Sequence, residues 1–125
     1  MAFSAYTTKT QAIAYNTNVK FEKVWTNIGN GYDTSTGIFT APRQGVYHIS
    51  AVVMSVHGTN LQLHVKHNNE YTAGSYVTGD GYKTGTFDVI FTLQKGDRVS
   101  VGGRRGYTVH SDGSKFTTFS GHLIA

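Results

Sequence analysis

The sequence predicts an all-β sandwich, on three observations. Short segments of alternating apolar and polar residues are separated by turn residues about every 8 to 12 positions, the rhythm of sandwich strands. The 125 residues include fifteen glycines, eight tyrosines, seven phenylalanines and many threonines, which favour sheet and turn over helix. One long run, 45–57, turns apolar on both faces towards its end, as a strand covered on both sides does. A chain of this length is expected to be a single domain over residues 1–125, burying roughly two thirds of its unfolded surface.

Taken in order, residues 2–6 read as a first short strand, and Ala12-Ile13-Ala14 as a second in a polar stretch. Residues 19–25 alternate Val19, Phe21, Lys23 and Trp25 against Lys20, Glu22 and Val24, a half-buried strand. Asn27 to Asp33 is a turn cluster, and Asn30-Gly31 and Asp33-Thr34-Ser35-Thr36-Gly37 supply left-handed positions and side-chain turns. A short strand ends at Phe39, and Pro42 then stands where it removes no ladder bond, just before the longest strand.

In that strand one face carries Tyr47, Ile49, Ala51, Val53 and Ser55. The other carries Val46, His48, Ser50, Val52, Met54 and Val56. In one small domain only one of these faces can meet the core, so a second copy of the chain is the economical cover for the other. Leu61, Leu63 and Val65 alternate with Gln62, His64 and Lys66, an antiparallel partner with one wet face. Asn68-Asn69 is a hairpin turn, followed by a strand over 71–78 and a turn at Gly79-Asp80-Gly81. Phe87, Val89, Phe91 and Leu93 alternate with Thr86, Asp88, Ile90 and Thr92. Residues 94–97 turn into a strand over 98–102, residues 103–114 read as a glycine-bounded basic loop, and 115–125 is the last strand.

The pattern from Phe21 carries more than strand order. Phe21, Asn27, Tyr32, Phe39, Gly45 and Tyr47 fall without a gap on the spacing of the globular heads of the complement C1q family. Ile49 and Ala51 depart from it, where the family has Phe and an aromatic. Phe119-Ser120-Gly121-His122-Leu123 resembles the closing segment of those heads, Ala2-Phe3-Ser4-Ala5 their opening, and Lys95-Gly96-Asp97-Arg98-Val99 their Gly-Asp-x-Val step. The resemblance implies a ten-stranded jelly roll of the tumour necrosis factor type, a homotrimer, and secretion with a signal peptide removed. Tyr47, Val52, Met54, Val56 and Phe119 are the residues expected at the trimer interface. No Gly-X-Y repeat precedes the domain and no Asn-x-Ser/Thr sequon is present, so neither a collagen stalk nor N-glycosylation is expected within this sequence.

Several chemistries are disfavoured by the residues alone. There is no cysteine, hence neither disulfide framework nor thiol nucleophile, and no Gly-x-Ser-x-Gly elbow. Gly102-Gly103-Arg104-Arg105-Gly106 is glycine-rich but lacks the Gly-Lys-Ser/Thr ending of a phosphate loop. No apolar run approaches the ~18 residues of a membrane span. Neither enzyme activity, nucleic-acid binding nor membrane insertion is therefore expected. A net charge of +4 with only 14% charged residues suits solubility and, secondarily, anionic partners such as acidic glycans or lipopolysaccharide.

The binding residues expected are loop aromatics and cations. Tyr76, Tyr82 and Tyr107 would offer flat apolar faces to sugar C–H groups, with Asp80, Arg104 and His110 as orienting partners. Arg104 and Arg105 would bind carboxylate, sulfate or phosphate through guanidinium forks. Strand packing is the competing role for each tyrosine, and a solvated loop for the arginines. Calcium is an expectation carried by the family, with Asp80 as the nearest acid, though no acid-rich loop surrounds it. His64 and His67, three apart, face opposite sides of a strand, which suits a transition metal poorly. The expected function is a lectin-like, trimeric pattern-recognition head for mannose-type sugars, sialic acid or lipopolysaccharide. A ligand for a protein receptor is the alternative, and metal carriage a lesser one.

Overall fold

The computed structural model describes all 125 residues as two packed antiparallel sheets with no helix. The strands are β1 (Ala2–Thr7), β2 (Gln11–Ile13), β3 (Lys23–Ile28), β4 (Tyr32–Asp33), β5 (Ile38–Thr40) and β6 (Gly45–Ser55). They continue as β7 (Leu61–His67), β8 (Glu70–Val77), β9 (Thr84–Leu93), β10 (Arg98–Gly102), β11 (Tyr107–His110) and β12 (Thr117–Leu123). Two short segments, β4 and β11, lie where the sequence suggested only turn and loop, which accounts for twelve strands where ten were expected.

The longest strand, β6, is the spine of the larger sheet. One edge pairs with β9 from Gly45 to Met54. The other edge is divided: β12 takes Tyr47 to Val52, and β11 takes Met54 and Ser55. Beyond β12 come β1 and the edge strand β3, while β2 lies outside β11. The smaller sheet runs β4-β5-β10-β7-β8. This two-sheet, crossed-over order is a jelly roll.

The spacing that begins at Phe21 is a specification of the core. Phe3 stacks on Phe39 at 4.6 Å and on Tyr32 at 5.3 Å, and meets Phe119 edge-on at 4.9 Å. Phe39 meets Tyr47 edge-on at 5.7 Å, and Phe21 lies 5.3 Å from Phe119. Such offset and edge-on pairs are the geometries aromatic rings favour. The buried hydroxyl of Tyr32 accepts from the Phe21 N–H at 3.0 Å and donates to the Phe21 carbonyl at 2.9 Å. The Asn27 side chain brackets the backbone of Tyr32, accepting at 3.2 Å and donating at 2.8 Å. Tyr47 donates to the Arg43 carbonyl at 2.6 Å, so the chain entering β6 is pinned.

Two glycines are fixed by close approach. A Cβ at Gly121 would lie 2.7 Å from both Ile49 and Phe3, so only glycine lets β12 pass between them. Gly37 has φ near +77°, and its Cβ would meet the Val19 carbonyl oxygen at 2.2 Å. The Gly-Asp step is a clasp. Asp97 accepts from Asn68 Nδ2 at 3.0 Å and from the Gln94 N–H at 2.9 Å, and pairs with His67 at 3.0 Å. Asn68 Oδ1 accepts from the Arg98 N–H at 2.7 Å. One carboxylate thus ties the β9–β10 turn to the β7–β8 hairpin, whose Asn68 and Asn69 both hold positive φ as expected.

Two sequence expectations need correction. Tyr47 and Phe119 belong to the interior of the subunit, each 0% exposed, so neither side chain can line a contact with a sister chain. Residues 19–22 carry their apolar groups inward but are not strand; β3 starts at Lys23, and Trp25 ends up 54% exposed, lying on Tyr6 at 4.2 Å. A register shift opposite Ser4 and Ala5 breaks the alternation there. The outer face of β6 is polar at its centre and apolar from Val52 onward, as its sequence reads. Val52 and Met54 are half-buried there, and Val56 lies just past the strand. Between Val46 and Val52 stand His48, paired with Asp88, and Ser50, bonded to Ser120 at 2.9 Å.

Candidate functional site

The loop residues singled out from the sequence gather in two places. The first is beside β7. The β10–β11 turn carries Arg104 and Arg105 and packs so closely on β7 that a Cβ at Gly103 would lie 3.0 Å from the Gln62 carbonyl oxygen. Arg104 lies over the ring of Tyr71 at 4.5 Å, a cation–π contact. Tyr107 opens β11 half-buried, and its hydroxyl lies 3.5 Å from Gln62 Oε1. Gln62, His64, Arg104, Arg105 and Tyr107 together line a partly open hollow of about 150 Å³. Tyr76 stands directly across from Gln62 in the β7–β8 ladder and is 63% exposed.

The second place is at the far end of β6. Tyr82, 54% exposed, lies 4.7 Å from His110 and 5.6 Å from His57, ring to ring. Met54, Tyr82, His110, Asp112 and Phe116 line an open hollow of about 300 Å³. His110 and Asp112 approach to 3.7 Å. The structure therefore brings Arg104, Arg105, Tyr107 and Tyr76 together, and separately Tyr82 with His110. Because Met54 borders it, this hollow adjoins the outer face of the larger sheet.

Asp80 joins neither group. It is exposed on the Gly79–Gly81 turn, and the Lys83 ammonium donates to the carbonyls of Gly79 at 2.6 Å and Gly81 at 2.9 Å. A cationic side chain thus occupies the carbonyl oxygens of the two residues flanking Asp80. No three His, Asp or Glu side chains come together as a metal-binding group. Calcium takes six to eight oxygens, and one chain does not offer that set at Asp80. His64 and His67 are likewise parted: His64 lies against Tyr71 at 5.2 Å, whereas His67 points to Asp97 and Phe91.

Of three further residues at the first hollow, Gln62 and Lys66 were not singled out from the sequence, and His64 was weighed only as a metal ligand. Gln62 and His64 line it, and Lys66 lies close by at 2% exposure. The Lys66 ammonium is 5.8 Å from the Tyr71 ring that Arg104 also covers. Burial holds the Lys66 ammonium below its ordinary pKa. Burial, followed by the Arg104 charge, likewise lowers His64, and the His64 Nδ1 is buried without a hydrogen-bond partner. The signal for these residues was the polar face Gln62-His64-Lys66 of β7, a row holding no acid.

This is a jelly-roll head with small hollows lined by loop and strand residues. A family model of the C1q domain matches residues 2–124, and the chain belongs to that family. Mouse complement C1q tumor necrosis factor-related protein 3 is 33% identical over 112 residues, 87% of this chain and 45% of that protein. The chain therefore spans less than half the length of that curated relative. Among solved structures, the globular domain of zebrafish complement 1qA protein superposes with a TM-score of 0.79 at 21% identity, covering 99% of this chain and 97% of that one. Murine APRIL superposes with a TM-score of 0.78 at 15% identity, covering 98% of each chain. These two likenesses establish the fold.

Proposed function

We propose that this chain is a non-enzymatic recognition head, secreted and homotrimeric, that binds microbial or other glycans in a lectin-like manner in innate immunity. Mannose-type sugars, sialic acid and lipopolysaccharide are the ligand classes it suits. The observation that carries the reading is the patch beside β7. There Tyr76 presents an exposed ring, and Arg104, Arg105, Tyr107 and Gln62 present donors around one small hollow. Flat apolar faces edged by polar groups are what a sugar ring needs. A shallow site of this kind binds weakly alone, and three copies in one particle raise its avidity when they engage one surface together. The test is a glycan array carrying mannan, sialylated glycans and lipopolysaccharide, probed with protein of confirmed trimeric mass. Retention on at least one class is expected, and no retention on any of them overturns the lectin reading.

A second reading, a ligand for a protein receptor, has its own observation. The edge strand β3 exposes Val24, Trp25 and Ile28, the last at 63%. An apolar edge of this kind is suited to a protein surface. Under this reading a cell-surface partner is captured, Trp25→Ser releases it, and sugars do not compete.

A further inference from the structure

We propose that the hollow between β7 and the β10–β11 turn is an oxyanion pocket, which seats the charged substituent of a glycan rather than a sugar ring. The assignment rests on the glycan reading above for its ligand, but not for its chemistry. A volume of about 150 Å³ is that of roughly five waters, enough for a carboxylate or sulfate group and the atoms that carry it.

Its lining is one-sided in charge. Arg104 and Arg105 contribute two guanidiniums, whose forks match the oxygens of such groups. Gln62 and Tyr107 add an amide and a hydroxyl, and the hydroxyl of Tyr107 already leans on Gln62. His64 adds a ring whose Nδ1 has no partner within the chain. Behind the wall lies Lys66, buried and likewise without an acid.

Nothing in the chain neutralises this cluster. The ion pairs of the structure are His48–Asp88, His67–Asp97 and His110–Asp112, so no arginine or lysine is matched with a carboxylate. Arg104 and Arg105 are exposed at the rim of the hollow, while Lys66 and the His64 Nδ1 are buried behind it. Here, Arg104 is stacked on Tyr71 beside a buried ammonium, and the turn is held in place by Asn16 N–H and Tyr71 Oη, both donating to the Gly103 carbonyl at 3.0 and 3.2 Å. Two unpaired guanidiniums at the rim of one small hollow, with a buried ammonium behind them, are an arrangement that an incoming anion stabilises. Carboxylate and sulfate share this chemistry, and both are carried by acidic glycans.

The experiment has two arms. In the first, inorganic sulfate is titrated into the protein while the ring resonances of His64 are followed by NMR. Saturable shifts are expected. They should be lost in Arg104→Gln/Arg105→Gln and kept in Lys20→Gln/Lys95→Gln, which removes the same charge from exposed positions outside the hollow. Absence of saturable shifts, or their equal loss in both double variants, overturns the pocket. In the second arm, calorimetry compares a sialylated trisaccharide, a heparin tetrasaccharide and neutral lactose. Binding of at least one charged sugar is expected, weakened at least tenfold by Arg104→Gln/Arg105→Gln and by Gln62→Glu, with lactose inert. The charged sugar that binds identifies carboxylate or sulfate as the source. If sulfate moves His64 but neither charged sugar binds, the pocket stands and its assignment to glycans falls. Equal binding of lactose overturns the charged-substituent assignment.

Discussion

At the residue scale, the fold hangs on polar atoms that are satisfied in the interior. Tyr32 is the sharpest case, because burial pushes its hydroxyl above the ordinary tyrosine range while that hydroxyl bonds both backbone groups of Phe21. Tyr32→Phe keeps the ring stacked on Phe3 but leaves the Phe21 N–H and carbonyl unpaired. A loss of about 1–3 kcal/mol is expected in urea unfolding, and an unchanged midpoint would show the bonds to be dispensable. Asp97 makes a separate, pH-dependent prediction. Bonds from Asn68, then from the Gln94 backbone and His67, hold its carboxyl at about 2. Its contribution is therefore fully present above the ordinary carboxylate pKa and is lost as pH falls from about 4 towards 2. In Asp97→Asn, melting temperature is expected to be lower than wild type at neutral pH, and the gap should close across that acid window. A gap independent of pH would contradict the assignment.

At the element scale, β6 shows how much the sequence discloses and where it stops. The alternation of Tyr47, Ile49, Ala51 and Val53 against Val46, His48, Ser50 and Val52 separated two faces correctly. It could not say that Tyr47, with its hydroxyl on Arg43, turns inward, because a tyrosine with one polar atom suits core and interface equally. Phe119 is the same case on β12. The aromatic spacing from Phe21 to Tyr47 was legible because every member packs in one cluster. Trp25 was misread because the chain enters β3 from an irregular segment and crosses a register shift, which periodicity carried through unbroken. Tyr107–His110 was hidden as a strand because glycines and arginines before it read as loop. The two hollows were invisible for another reason: Gln62 and Arg104, or Tyr82 and His110, meet only through the sheet order.

The outer face of β6 supplies the element-scale prediction. Val52 and Met54 stand half-buried there, with Ile90 64% exposed on the neighbouring strand. Met54→Asp is expected to dissociate the assembly in light scattering while leaving the circular dichroism of the chain as sheet. A burden of this kind comes from desolvating an unpaired carboxylate at a closed contact. An intact assembly would mean that another face makes the contact.

At the scale of the whole molecule, one side of the larger sheet is left without cover. Its rows run Tyr6–Thr118–Val52–Thr86, Ser4–Ser120–Ser50–Asp88 and Ala2–His122–His48–Ile90 across β1, β12, β6 and β9. The small serines at the centre already bond to one another, so another surface can approach closely without stranding a hydroxyl. A three-fold arrangement would cover this side in each copy. It would also multiply the loop patches that carry Tyr76, Arg104 and Arg105. The measurement that bears most directly on this account is sedimentation equilibrium of the purified protein at neutral pH. A particle of three times the 13.6 kDa chain mass is predicted. A stable, folded single chain at micromolar concentration would contradict it.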